Sequence, residues 1–115
     1  MSPVEEDRAD RLFHALADST RRDIVRRTLQ GEHSVSSLAR RYPMSFAAVQ
    51  KHVAVLEQAG IVEKRRRGRE QLVVGNIDAV RAAAELLDQY EELWRGRIDR
   101  IRDLLDHQPP EGASP

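Results

Sequence analysis

The 115-residue sequence contains no cysteine. That absence excludes disulfides, thiolate metal sites, iron–sulfur clusters and a cysteine nucleophile together. Aromatic residues are scarce, with one Trp, two Tyr and two Phe. No apolar run approaches the roughly 20 residues that a bilayer crossing requires, and no apolar stretch follows the N-terminus as it would in a secretory leader. A P-loop, a GxGxxG turn and a GxSxG elbow are all missing, and the six glycines are scattered singly. Carboxylates that neighbour one another on a charged helix do not mark an acid/base pair. The sequence therefore reads as a single cytoplasmic domain with no enzymatic chemistry, no cofactor and no membrane partner.

Net charge is absent as well, since 19 basic residues balance 19 acidic ones. Their distribution is uneven. Residues 1–20 carry two basic and five acidic side chains, residues 21–75 carry twelve and five, and residues 76–115 carry five and nine. A basic middle between acidic ends gives one face that can meet phosphate while the rest stays away from it. Only Lys51 and Lys64 are lysines; arginine suits bidentate phosphate contact.

Residues 1–4 are expected to fray. The spacing of Ala9, Leu12, Phe13 and Leu16 predicts a helix from about Glu5. Asp18 or Ser19 caps a second helix running to Leu29, with Ile24, Val25, Thr28 and Leu29 on one side and Arg21, Arg22, Arg26 and Arg27 outside. Gly31 ends it. Ser34 caps a short third helix with Val35, Leu38, Ala39 and Tyr42 inward, and Pro43 stops it. Ser45 caps a fourth helix whose apolar stripe is Val49, Val53 and Leu56 and whose terminator is Gly60. Two short helices joined by a tight turn form a helix-turn-helix. Ile61-Val62 and Leu72-Val73-Val74 then read as two strands around a turn at Gly68, a wing. Asn76 caps a last helix from Ile77 to Leu105. The fold expected is mostly α, a winged helix-turn-helix of about five helices plus a two-stranded wing. Residues 1–106 form the domain, and residues 107–115, rich in proline, form an unstructured tail.

On a wheel of 100° per residue, Ala47, Lys51 and Ala54 lie opposite the apolar stripe of the fourth helix, with Gln50 at one edge. Such a face is narrow enough for a major groove of double-stranded DNA. Gln50 suits adenine N6 and N7, Lys51 suits guanine or phosphate, and Ala47 suits a thymine methyl. Ser45 and the first backbone N–H groups suit phosphate. His52 lies about 60° off the core direction, expected half-buried against backbone, with its outer nitrogen available for phosphate. Phe46 is expected to pack. Lys64, Arg65, Arg66, Arg67 and Arg69 crowd five cations at the hairpin tip, placed to grip phosphates or enter a minor groove. In the last helix Leu87, Tyr90, Trp94, Ile98, Ile101 and Leu105 recur at helical spacing, with Leu86, Leu93 and Leu104 as a second row. So wide an apolar face predicts a twofold dimer seam, shared with the first helix through Leu12. An apolar effector, if one binds, would fit around Tyr90 and Trp94.

The run Leu12-Phe13-His14-Ala15-Leu16-Ala17-Asp18-Ser19-Thr20-Arg21-Arg22 resembles the opening signature of ArsR-type bacterial repressors. Met44-Ser45, Ala48-Val49, His52-Val53, Leu56 and Ala59-Gly60-Ile61-Val62 resemble their reading helix. The likeness runs from about Leu12 to Leu105. It implies a homodimeric repressor on a near-palindromic operator, with Ser45, Ala47, Gln50 and Lys51 at bases and backbone and Lys64 to Leu72 as the wing. Metal-sensing members use cysteines on the third helix or Asp/His pairs on the last. Here the third helix reads Val35-Ser36-Ser37-Leu38, and His14, His33, His52 and His107 have no ligand spacing. The resemblance is therefore to the metal-independent branch, and no metal site is expected. The readings set against a DNA-binding repressor are a winged helix that docks an acidic protein surface and a metal-responsive repressor.

Overall fold

The first helix begins earlier than its apolar pattern suggests. In the computed structural model, which describes residues 2–107, α1 spans Pro3–Leu16. The Ser2 hydroxyl accepts from Glu5 N at 3.3 Å, and Pro3 at the first helical position has no N–H to leave orphaned. The fraying expected for residues 1–4 thus gives way to capped helix from residue 3. The tail expected at 107–115 lies, His107 apart, outside the described residues. The described residues fall into two compact units, one ending at Ala83 and one beginning at Ala84.

In the first unit α2 spans Ser19–Gln30, capped by Asp18, whose carboxylate accepts from Arg21 N at 3.0 Å. Arg21 and Arg22 were expected outside. Instead Arg21 turns back to donate to Ala15 O at 2.8 Å and His14 O at 3.0 Å, and Arg22 donates to Leu16 O at 2.8 Å. These carbonyls lie in the last turn of α1, where His14 O also accepts from Ala17 N and where cations suit the helix dipole. Leu29, expected inward, is exposed, and Gly31 ends α2 in extended rather than left-handed backbone.

Helix α3 is short, Val35–Ala39, with the Ser34 hydroxyl accepting from Ser37 N at 3.0 Å. Helix α4 spans Phe46–Gln58, with Ser45 accepting from Ala48 N at 3.1 Å. Its end is a Schellman motif: Gly60 N donates to Glu57 O and Ile61 N to Leu56 O, both at 3.0 Å, with Gly60 at φ +75°. Leu56 and Ile61 are both fully buried, the apolar contact that such a cap favours.

The wing is a three-stranded antiparallel sheet, not the expected two-stranded hairpin. Strand β1 (His33–Ser34) pairs with β3 (Glu70–Gly75), which also pairs with β2 (Val62–Arg67), in the order β1-β3-β2. The β2–β3 turn is the two-residue loop Gly68-Arg69. Gly68 stands at φ +61° and no non-glycine residue among the described residues has positive φ, the pattern of a type II′ turn. Gly75 lets β3 approach α2 closely: a Cβ there would fall 2.8 Å from Leu29 Cδ2 and 3.2 Å from Leu29 N.

The core of this unit gathers Ile24, Leu38, Val49, Val53, Leu56, Ile61 and Val73, all at 0% exposure. Leu12, expected at a dimer seam, is 3% exposed and belongs to that same core. Helix α5 spans Ile77–Asp106, begun by Asp78 N donating to Asn76 Oδ1 at 3.0 Å. The second unit is its continuation from Ala84. Here Leu87, Tyr90, Leu93, Trp94, Ile101, Leu104 and Leu105 are between 40% and 71% exposed, while Leu86 and Ile98 are half-buried. No helix among the described residues is long and apolar enough to cross a membrane.

Candidate nucleic-acid interface

Val49, Val53 and Leu56 anchor α4 in the core and so fix which side of it meets solvent. Ser45, Phe46, Ala47, Gln50 and Lys51 are exposed and Ala54 is half-buried, a continuous outer face. The Ser45 oxygen is occupied as an acceptor by Ala48 N, which leaves the hydroxyl proton free to donate. Phe46 departs from expectation. It is 47% exposed rather than packed.

His52 sits on the opposite flank of α4 from Phe46 and is half-buried. Its partner is a side chain and not the backbone that was expected. Arg21 Nη1 lies 3.3 Å from His52 Nδ1, and Asp18 Oδ2 lies 3.9 Å from the same nitrogen. A guanidinium can only donate, so Nδ1 accepts and the neutral ring carries its proton on Nε2. The backbone hydrogen bond from Arg21 N, with the nearby Arg21 charge, holds the Asp18 carboxyl below its ordinary range.

A second polar cluster fixes the helix-turn-helix turn. Tyr42 Oη donates to Asp23 Oδ2 at 2.6 Å, Arg27 Nε donates to the same oxygen at 2.8 Å, and Arg26 pairs with Asp23 Oδ1. Arg27 also stands 6.0 Å from the centre of the Tyr42 ring. Hydrogen bonds from Tyr42, Arg27 and Arg26 push the Asp23 carboxyl far below its ordinary value of 3.8. Burial first, then Asp23, raises the Tyr42 phenol to about 12.

The wing cations do not form one patch. Side chains alternate across a strand, so Lys64 and Arg66 share one face of β2 while Arg65 and Arg67 share the other. Lys64 lies 3.8 Å from Glu57 of α4, Arg65 lies 3.2 Å from Glu63, and Arg67 lies 2.6 Å from Glu32 in the α2–β1 connection. Arg66 and Arg69 make no ion pair among the described residues. Sequence reasoning missed the counterions Glu57, on the preceding helix, and Glu32, remote in the chain, and missed Arg21 as the partner of His52. The alternation itself was available from the period of two. Among the described residues no three metal-ligating side chains come together.

This architecture, a helix-turn-helix followed by a basic wing, is that of a DNA-binding domain. Residues 16–65 match the family of the helix-turn-helix domain. The chain is 36% identical over 99 residues to the HTH-type transcriptional regulator Rv2034 of Mycobacterium tuberculosis, covering 86% of this chain and 90% of that protein. The ArsR-like transcriptional regulator from Rhodococcus sp. RHA1 superposes with a TM-score of 0.77 at 30% identity, over 86% of this chain and 93% of that one. The homodimeric winged helix-turn-helix DNA-binding domain of Mb0332 from Mycobacterium bovis superposes with a TM-score of 0.64 at 27% identity, over 80% and 89%. The chain belongs to the ArsR family of helix-turn-helix transcriptional regulators. Its relatives regulate transcription and are not enzymes.

Proposed function

We propose that residues 1–106 act as one DNA-binding and dimerisation domain, and that two copies bind a near-palindromic operator and repress transcription by occupying it. The observation that carries this reading is the outer face of α4. Ala47, Gln50 and Lys51 are exposed while Val49, Val53 and Leu56 on the other side are fully buried. Gln50 reads adenine, Ala47 meets a thymine methyl and Lys51 takes guanine or phosphate. Ser45 and the N-terminus of α4 hold a phosphate. His52 offers its Nε2–H to another, its Nδ1 being taken by Arg21. Arg66 and Arg69 engage the backbone directly, and Lys64, Arg65 and Arg67 do so on exchanging their carboxylates for phosphate.

The second copy joins through α5. Large side chains such as Leu87, Tyr90, Trp94, Ile101 and Leu105 are exposed, with Ile98 half-buried in the same row. A monomer rarely leaves so long an apolar face uncovered. The homodimeric M. bovis relative supports the same arrangement. Two reading helices then meet half-sites about 34 Å, one duplex turn, apart. The setting is the cytoplasm.

A gel-shift titration with duplexes selected from a random pool tests this reading. Binding should fall steeply with salt and weaken strongly for scrambled duplex. Replacing Gln50 and Lys51 together by alanine should abolish it; equal affinity for selected and scrambled duplex would contradict sequence-specific regulation.

A further inference from the structure

Phe46 is one of only two phenylalanines in the chain, and it lies at the first helical position of the reading helix. It is 47% exposed and lies outside the buried core cluster. Nothing local requires it, since alanine is the better helix former. One turn further along, on the same flank, stands the exposed Gln50. The two line a cleft of about 230 Å³ whose other walls include Ser36 at the start of α3 and Arg69, Glu70 and Gln71 at the wing turn.

We infer that Phe46 and Gln50 act as a pair that reads a thymine next to or near an adenine, Phe46 touching the thymine C5-methyl group and Gln50 bonding adenine N6 and N7. This rests on the DNA-binding reading above. In a helix-turn-helix the N-terminal residues of the second helix meet the base edges. The only apolar feature that a base pair shows in the major groove is the thymine methyl, and phenylalanine is among its partners. Positions four apart on a helix rise by about 6 Å, against 3.4 Å per base step, so the two bases lie one or two steps apart. Glu70 repels phosphate from within the cleft, while Arg69, free of any ion pair among the described residues, stands at its edge to take the flanking phosphate. The cleft thus sets a base preference, and the wing turn fixes its register on the duplex.

The test uses the full chain and a duplex that it selects from a randomised pool, each thymine replaced in turn by uracil, which lacks only the methyl group. Fluorescence anisotropy should show roughly fourfold weaker binding, the worth of one buried methyl, at one thymine per half-site besides the one that Ala47 meets. Phe46→Ala should bind the thymine and uracil duplexes equally at the Phe46 thymine while keeping the Ala47 effect, and Phe46→Leu should keep both. Gln50→Ala should lose preference for an adenine within two base pairs of that thymine. The wild-type scan needs no variant, so it decides even if Phe46→Ala folds poorly. A wild-type scan with no thymine effect beyond the one lost in Ala47→Gly, or a scan that Phe46→Ala leaves unchanged, overturns the Phe46 contact alone. A selection that enriches no sequence overturns the DNA-binding reading and this inference with it.

Discussion

Arg21 Nη1 and His52 Nδ1 meet at 3.3 Å, joining the first turn of α2 to the middle of the reading helix. The same guanidinium caps α1 through Ala15 O and His14 O. One side chain therefore sets the mutual orientation of three helices. Arg21→Ala should destabilise the fold by about 2 kcal/mol in urea melts, since three hydrogen bonds go and two helix-end carbonyls lose partners. The exposed Arg26→Ala should cost under about 1 kcal/mol. Nitrogen NMR at neutral pH should find the His52 proton on Nε2; a proton on Nδ1 would contradict the contact.

The Asp23–Tyr42–Arg27 cluster predicts the response to pH. The Asp23 carboxyl titrates far below 3.8, so its contribution to stability is present above that value and is lost as pH falls below it. The Tyr42 phenol is raised from 10.0 to about 12, so its contribution is present below pH 10 and is lost as pH rises toward 12. Tyr42→Phe should lower stability by about 1–2 kcal/mol at neutral pH and should blunt the acid loss. Thermal melts from acid to neutral pH check the Asp23 loss, and melts rising from pH 10.0 to about 12 check the Tyr42 loss.

On the proposed reading, Glu32, 2.6 Å from Arg67, competes with DNA for that cation. Releasing that cation by Glu32→Gln should raise affinity for duplex about two- to threefold at low salt, in line with an exposed ion pair worth under about 1 kcal/mol. The gain should vanish at high salt. Arg69→Ala should instead weaken binding and lower the salt slope by about one.

Gly60 holds the left-handed cap between the reading helix and the wing. Gly60→Ala should cost about 1–2 kcal/mol, the strain of an L-residue in that conformation. Equal stability of Gly60→Ala and wild type would show that the cap does not constrain the junction.

The helices were legible because their signals are local. Ser34, Ser45 and Asp18 each cap the helix that follows, and Val49, Val53 and Leu56 mark the buried side of α4. Strand β1 was not legible, since two residues carry no periodicity and their pairing partners Val73 and Leu72 lie about forty residues away. Leu12 and Phe13 were read as one stripe, yet only Leu12 is buried, because the first helix packs on a narrower line than its apolar residues span. Arg21 and Arg27 counted as surface charge. Which arginines fold back onto carbonyls and carboxylates depends on the packing of three helices, information that no single window of sequence holds.

The single tryptophan, Trp94, lies on the exposed face of α5. Sedimentation equilibrium of the full chain, alone and on a selected duplex, tests whether that face joins two copies. The account predicts a dimer in solution and two chains per duplex, with Trp94→Glu reduced to a monomer that has lost specific binding. One chain per duplex, or a wild-type monomer at every concentration that binds the duplex with full specificity, would contradict it.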